Sequence, residues 1–165
     1  MKEVWVTGLG FITSIGCNSD QVENSLLNLR HGIACPNMLQ VPESPVKVAG
    51  TIDEFELDSS DPEDWKFPSE YKVPRSLIRS FSPHVLYAWC SLQQAIKDAN
   101  IDSQDLQDPD CGIYTASGGS MRSIHKHFEK MDRNGVMACN PLAIVSSIPG
   151  TLTFNLVAAL GIRGS

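Results

Sequence analysis

The chain has 165 residues, of which 42% are hydrophobic, 19% charged and 7% aromatic, a composition that suits one globular domain with its own core. Its formal net charge of −6 at pH 7 excludes a general attraction to nucleic acid or to an anionic lipid surface. No apolar run approaches the roughly 20 residues of a membrane-spanning helix, and the N-terminus runs into a strand pattern without an apolar signal segment.

Residues 3–7 alternate and are β-branched, which predicts a first strand. Gly8, Gly10 and Gly16 punctuate the turn that follows. Asp20 and Glu23 have capping-box spacing, Val22, Leu26 and Leu29 make one helical face, and Gly32 stands where a C-terminal cap belongs. Residues 46–52 predict a second strand. Residues 53–72 hold eight acidic residues (Asp53, Glu54, Glu56, Asp58, Asp61, Glu63, Asp64 and Glu70) with Pro62 and Pro68, and read as a solvated surface insertion lacking the regular ligand spacing of a calcium loop.

The clearest helix follows. Ser82 caps it, Pro83 opens it, and Val85, Trp89, Leu92, Ile96 and Ala99 form one apolar stripe that ends at Asn100. Residues 111–116 predict another strand, closing in Ser117-Gly118-Gly119-Ser120. Ile124, Phe128 and Met131 mark a helix stopped by Gly135. Pro149-Gly150 opens a last helix with Leu152, Leu156 and Leu160 on one side. The order strand, helix, strand, insertion, helix, strand, helix, helix implies a layered α/β domain with a mainly parallel or mixed sheet. No strand follows the last helix, so one further element of the sheet layer is expected beyond it.

The chemistry-bearing motifs are few. Gly8-x-Gly10 lacks the third glycine of a dinucleotide fingerprint, since position 13 is Thr, and reads as a tight turn needing positive φ. Ser117-Gly118-Gly119-Ser120 lies between strand and helix without the Lys-Ser/Thr of a P-loop, so its glycines suit a close backbone or ligand approach. His125 and His127 fall on different helix faces, and His31 and His84 have no acidic or cysteine neighbour in sequence. The five cysteines, Cys17, Cys35, Cys90, Cys111 and Cys139, show no Cys-x-x-Cys spacing and read as small buried hydrophobes of a reduced, cytoplasmic protein. No metal and no cofactor is implied.

Four segments carry a resemblance. They are Val6-Thr7-Gly8-Leu9-Gly10 through Ser14-Ile15-Gly16, Arg79-Ser80-Phe81-Ser82 through Ala95-Ile96-Lys97-Asp98-Ala99, Cys111-Gly112-Ile113-Tyr114-Thr115-Ala116-Ser117-Gly118-Gly119-Ser120, and Leu160-Gly161-Ile162-Arg163-Gly164. In this order and spacing the chain resembles the β-ketoacyl-[acyl-carrier-protein] synthases of the thiolase superfamily. The resemblance implies an α/β, layered thiolase-like fold, with residues 1–165 forming its N-terminal half and an acidic insertion at about 53–72.

It also implies decarboxylative condensation of malonyl-carrier with an acyl thioester, in fatty acid or polyketide synthesis. In the family a cysteine thiolate is the nucleophile and two histidines assist. All three are expected after Ser165, so no catalytic residue is assigned to this chain and it is expected to be inactive alone. Gly119 and Ala143 match acyl-pocket positions, and their small size implies a roomy channel. Lys72, Arg75, Arg79 and Arg133 match carrier-docking positions, although Asn134 and Met137 stand where further basic residues would help. The implied partners are an acyl carrier protein and a second ketosynthase-like chain, in a homodimer or heterodimer. The alternatives are a non-catalytic partner of chain-length-factor type and a truncated binding module.

Overall fold

The computed structural model describes residues 3–164. In chain order it contains α1 (Ser19–Leu27), β1 (Ile33–Ala34), β2 (Ala49–Gly50), α2 (Arg75–Ile78), α3 (Pro83–Asp98), α4 (Met121–Asn134), α5 (Ala143–Ser147) and α6 (Gly150–Leu160), with short 3-10 turns between them. β1 and β2 pair antiparallel, Ile33 opposite Gly50 and Ala34 opposite Ala49.

The core is built on α3. Ser82 is extended and Pro83 supplies the fixed φ of the first helical position, as expected. The Ser82 hydroxyl does not cap the helix; it bonds the ring of His84, with Nδ1 at 2.9 Å. At the other end Asn100 takes a positive φ of 52° and stops the helix, a conformation that asparagine tolerates better than most residues. The predicted stripe is buried at Val85 and Trp89, but the fully buried face also takes in Leu86 and Cys90, while Leu92 and Ile96 are half-buried. A face of adjacent pairs is wider than a single stripe because α3 has neighbours on two sides. On one of them α6 packs with Leu152 and Leu156 buried, so the apolar side of the last helix is covered within the chain. Asn155 anchors that contact: Ser80 donates to its Oδ1 at 2.6 Å, and its amide donates to Thr151 O at 2.9 Å.

On another side the backbone of residues 8–11 lies directly on α3. A Cβ on Gly10 would stand 1.9 Å from the Ser91 carbonyl oxygen, and one on Gly8 2.3 Å from that of Ala95. Neither glycine has a positive φ, so they serve close approach and not the turn conformation the sequence suggested. Gln94 ties the crossing together. Its Oε1 accepts from Phe11 N at 3.2 Å, and its amide donates to Phe11 O at 3.1 Å, Cys17 O at 2.7 Å and Tyr71 Oη at 2.5 Å.

Expectations for three strands and for both ends of α1 need correction. Residues 3–7 and 111–116 enter no ladder among the described residues. Val4, Trp5 and Val6 stand more than three-quarters exposed, and 111–118 alternate half-buried and exposed residues without a paired strand among the described residues, tied to α6 by the Thr115–Thr153 hydroxyl contact at 2.6 Å. The residues carry the strand pattern, but a strand also needs a partner backbone. Of the second predicted strand only Ala49–Gly50 is paired. The start of α1 is capped by Asn18, whose side chain accepts from Gln21 N at 2.9 Å, in place of the Asp20/Glu23 box. The helix ends at Leu27 with Leu29 at φ 52°, before Gly32, whose missing side chain makes room for Ser14.

The acidic segment is also more than a solvated excursion. Phe55, Leu57 and Tyr71 are buried in the main core, and Phe55 meets Phe67, Tyr71 and Tyr87 at ring distances of 6.4, 6.5 and 5.2 Å. Glu56 and Lys66 pair by backbone and side chain, folding the segment back on itself. Its carboxylates face outward from that apolar base.

Gln94→Leu keeps the side-chain volume and strands the Phe11 and Cys17 backbone groups. The expected cost is about 2–3 kcal/mol, read as a lower urea midpoint with an unchanged slope.

Candidate functional site

α4 begins where Ser120 accepts a hydrogen bond from Ser123 N, and ends at Gly135, whose φ of 79° suits glycine. It packs on α5, and the two helices face the acidic segment and the start of α3 across a narrow cleft. One wall carries Leu57, Ser59, Pro62, Trp65 and Phe81. The opposite wall carries Arg122, Ser123, Lys126, His127 and Lys130 of α4, and Asn140, Ala143 and Ser146 complete it. Its interior space is about 40 Å³, room for a few waters and no more. At one mouth Arg79, Lys130 and Asn140 meet Ser60, Asp61 and Glu63.

The structure brings together only some of the residues singled out from sequence. Ala143 lines the cleft at the first turn of α5. Gly119 does not line it. Its φ is +74°, and a Cβ there would stand 2.5 Å from the Ser147 carbonyl oxygen and 3.1 Å from Pro149 Cδ. Its smallness therefore serves the junction of α5 and α6, where Ser120 N also donates to Ser147 O at 2.8 Å, and opens no space of its own.

Arg75 and Arg79 converge on a single carboxylate. Arg75 Nε and Nη2 donate to Glu63 Oε2 at 2.8 and 2.5 Å, and Arg79 Nε donates to Oε1 at 2.5 Å. The hydrogen bonds from Arg79 and then Arg75 hold the Glu63 carboxyl below the ordinary glutamate range. Arg133 sits apart, near the end of α4, 3.7 Å from Glu129. Lys72 is exposed and makes no ion pair among the described residues.

Sequence reasoning missed the basic row of α4. Arg122 and Lys126 both reach Asp58 of the acidic segment, Lys126 at 3.8 Å. Burial, followed by the neighbouring Arg122 charge, lowers the pKa of the Lys126 ammonium. Lys130 continues the row. The signal was present as basic residues at intervals of four on a predicted helix.

The remaining candidates are structural. Cys17 and Cys90 are buried, and burial raises both thiols, that of Cys90 to about 12, so neither supplies a thiolate at neutral pH. Cys35 is exposed, and Cys111 and Cys139 are half-buried, contrary to the expectation of five buried cysteines. His31 is exposed, its Nδ1 accepting from Ile33 N, and His125 stands 3.6 Å from Glu129. Among the described residues no three His, Cys, Asp or Glu side chains gather as a metal site, and no helix is long and apolar enough to cross a membrane.

The family model described as "Beta-ketoacyl synthase, N-terminal domain" matches residues 1–165. The chain belongs to this family. The 3-oxoacyl-[acyl-carrier-protein] synthase 1 of Buchnera aphidicola subsp. Schizaphis graminum is 35% identical over 126 residues, covering 76% of this chain and 28% of that protein. The same-named enzyme of Escherichia coli K12 is 28% identical over 99% of this chain and 38% of its own length.

A crystal structure of a beta-ketoacyl synthase from Burkholderia phymatum STM815 superposes with a TM-score of 0.76 at 24% identity, over 100% of this chain and 38% of that one. The fold is thus the N-terminal part of the layered, thiolase-like ketosynthase fold, which those structures share. The chain spans 28% to 38% of the length of these relatives.

His84, in the first turn of α3, has its pKa lowered by burial. The unfolded chain therefore takes up the proton first as pH falls. The stability His84 provides is complete above its unfolded value of 6.5 and is lost as pH falls through that value toward the folded one. Urea midpoints measured from pH 7.5 down to 5.5 should fall less steeply in His84→Gln than in the parent.

Proposed function

We propose that this chain is the N-terminal portion of a β-ketoacyl synthase acting on carrier-bound thioesters, in which malonyl-carrier loses carbon dioxide and its carbanion attacks an acyl thioester. The observation that carries the reading is the family match along all of residues 1–165. On this reading the chain's own residues bind and orient. Lys72, Arg75, Arg79 and Arg133 take the acidic face of an acyl carrier protein, steering a partner of opposite charge by long-range attraction. The pathway is fatty acid or polyketide synthesis, and the assembly is a homodimer or a heterodimer of ketosynthase-like chains.

The test is binding of fluorescently labelled acyl carrier protein from the same source, followed by anisotropy. Arg75→Glu with Arg79→Glu should weaken it by about tenfold or more and flatten its salt dependence. Undetectable binding to the parent chain at tens of micromolar would overturn the reading.

Ala143 lines the cleft wall, which supports an acyl-pocket role in a cleft that widens to take the chain, whereas Gly119 borders the far end of α5 and lines no part of it. In the full-length enzyme Ala143→Phe should shift the substrate profile toward shorter acyl chains by about tenfold or more in kcat/KM, what the loss of room for one methylene provides. An unchanged chain-length profile would remove Ala143 from the pocket. Gly119→Ile is a poor probe, since the positive φ and the Ser147 carbonyl leave no place for a side chain.

A further inference from the structure

The basic residues beside the cleft are not idle. Glu63 occupies Arg75 and Arg79 together, and Asp58 occupies Arg122 and Lys126 together. Both acids come from the one acidic segment, whose apolar base is fixed in the core by Phe55, Leu57 and Tyr71. The Asp58 side chain is 77% exposed, so its ion pairs form in water and are weak enough to exchange. Lys130, next along the row, makes no ion pair among the described residues and borders both the cleft and its mouth. Asp61 also borders that mouth, but its carboxylate is engaged by Glu63 N at 3.0 Å.

The structure therefore shows which chemistry the surface takes, because carboxylates of the chain itself already sit on it. We propose that Arg122, Lys126 and Lys130 of α4 extend the surface that receives an acidic partner protein, and that Asp58 and Glu63 hold this surface as internal competitors which the partner's carboxylates displace. The identification of that partner as an acyl carrier protein rests on the reading given under Proposed function.

Exchange of one carboxylate for another keeps each cation paired throughout, so the surface is never left with uncompensated charge. It also sets a threshold. A partner offering a single acid gains little over Asp58 or Glu63, whereas one offering several acids in register replaces both at once.

The experiment titrates the full-length protein with labelled acyl carrier protein, with thermal melting as the control for folding. Asp58→Asn combined with Glu63→Gln should bind about five- to tenfold tighter, and Lys130→Glu about tenfold weaker. If the double variant binds no tighter, or Lys130→Glu binds as the parent does while Arg75→Glu weakens binding, the competitor surface is wrong and the carrier reading stands. If neither the parent nor any variant binds, both fall. If millimolar inorganic phosphate displaces the carrier as well as excess unlabelled carrier does, the row is a simple anion site and the proposal is overturned.

Discussion

The backbone of residues 8–11 lies against the backbone of α3, and much of the fold is arranged around that contact. At an approach where a single Cβ would overlap a carbonyl oxygen, only glycine serves at positions 8 and 10. The contact would leave backbone polar groups without water, and Gln94 answers this by accepting from Phe11 N while donating to Phe11 O and Cys17 O. The same amide reaches Tyr71, so one side chain links the N-terminal turn, the long helix and the far end of the acidic segment. Burial also raises the Tyr71 hydroxyl to about 12, which keeps it protonated across the physiological range.

The acidic segment has a double character that follows from its alternation of apolar and charged residues. Phe55 and Leu57 point into the core while Glu56 and Asp58 point away, the period of two that an extended chain imposes. Its base therefore has the stability of the core, whereas Glu56 and Asp58 form ion pairs in water that contribute little to stability, and Glu63 is covered mainly by its own two arginines. Glu63 illustrates the separation. Its pKa is held down by two arginines, so acidification through and below the ordinary glutamate range would open those pairs without disturbing Phe55 or Tyr71. A segment fixed on one side and exchangeable on the other can cover a charged surface without being part of the fold's rigid frame.

What could be read in advance follows the distance over which each feature is decided. α3 was legible because its opening proline and its apolar stripe are local, and α4 because Ile124, Phe128 and Met131 share a spacing that Gly135 closes. The ends of α1 were misjudged because several residues could have capped it, and Leu29 accepts a positive φ that sequence would assign to glycine. The strand patterns at 3–7 and 111–116 are present as patterns, but a ladder is a property of two backbones, and neither segment is paired among the described residues. Glu63 was counted merely as one acid among eight. Nothing in the local sequence says that it would meet two arginines twelve and sixteen positions later. The small residues at 119 and 143 looked alike in sequence, and only the φ of Gly119 and the nearness of Ser147 separate a backbone requirement from a pocket wall.

The candidate site stands at the less anchored end of the molecule. α3 buries four side chains almost completely, whereas α4 buries none and α5 buries only two serines. With so little apolar area sealed, the free energy that holds α4 in place is small compared with that of the core, and local opening there costs less than global unfolding. The Asp58 contacts to Arg122 and Lys126 are among the few that tie α4 to the segment opposite. Exposed pairs of this kind contribute little, so the packing of α4 on α5 carries most of what holds the helix. Because α4 packs on α5, which carries Ala143, the cleft wall that holds Ala143 belongs to that less anchored end.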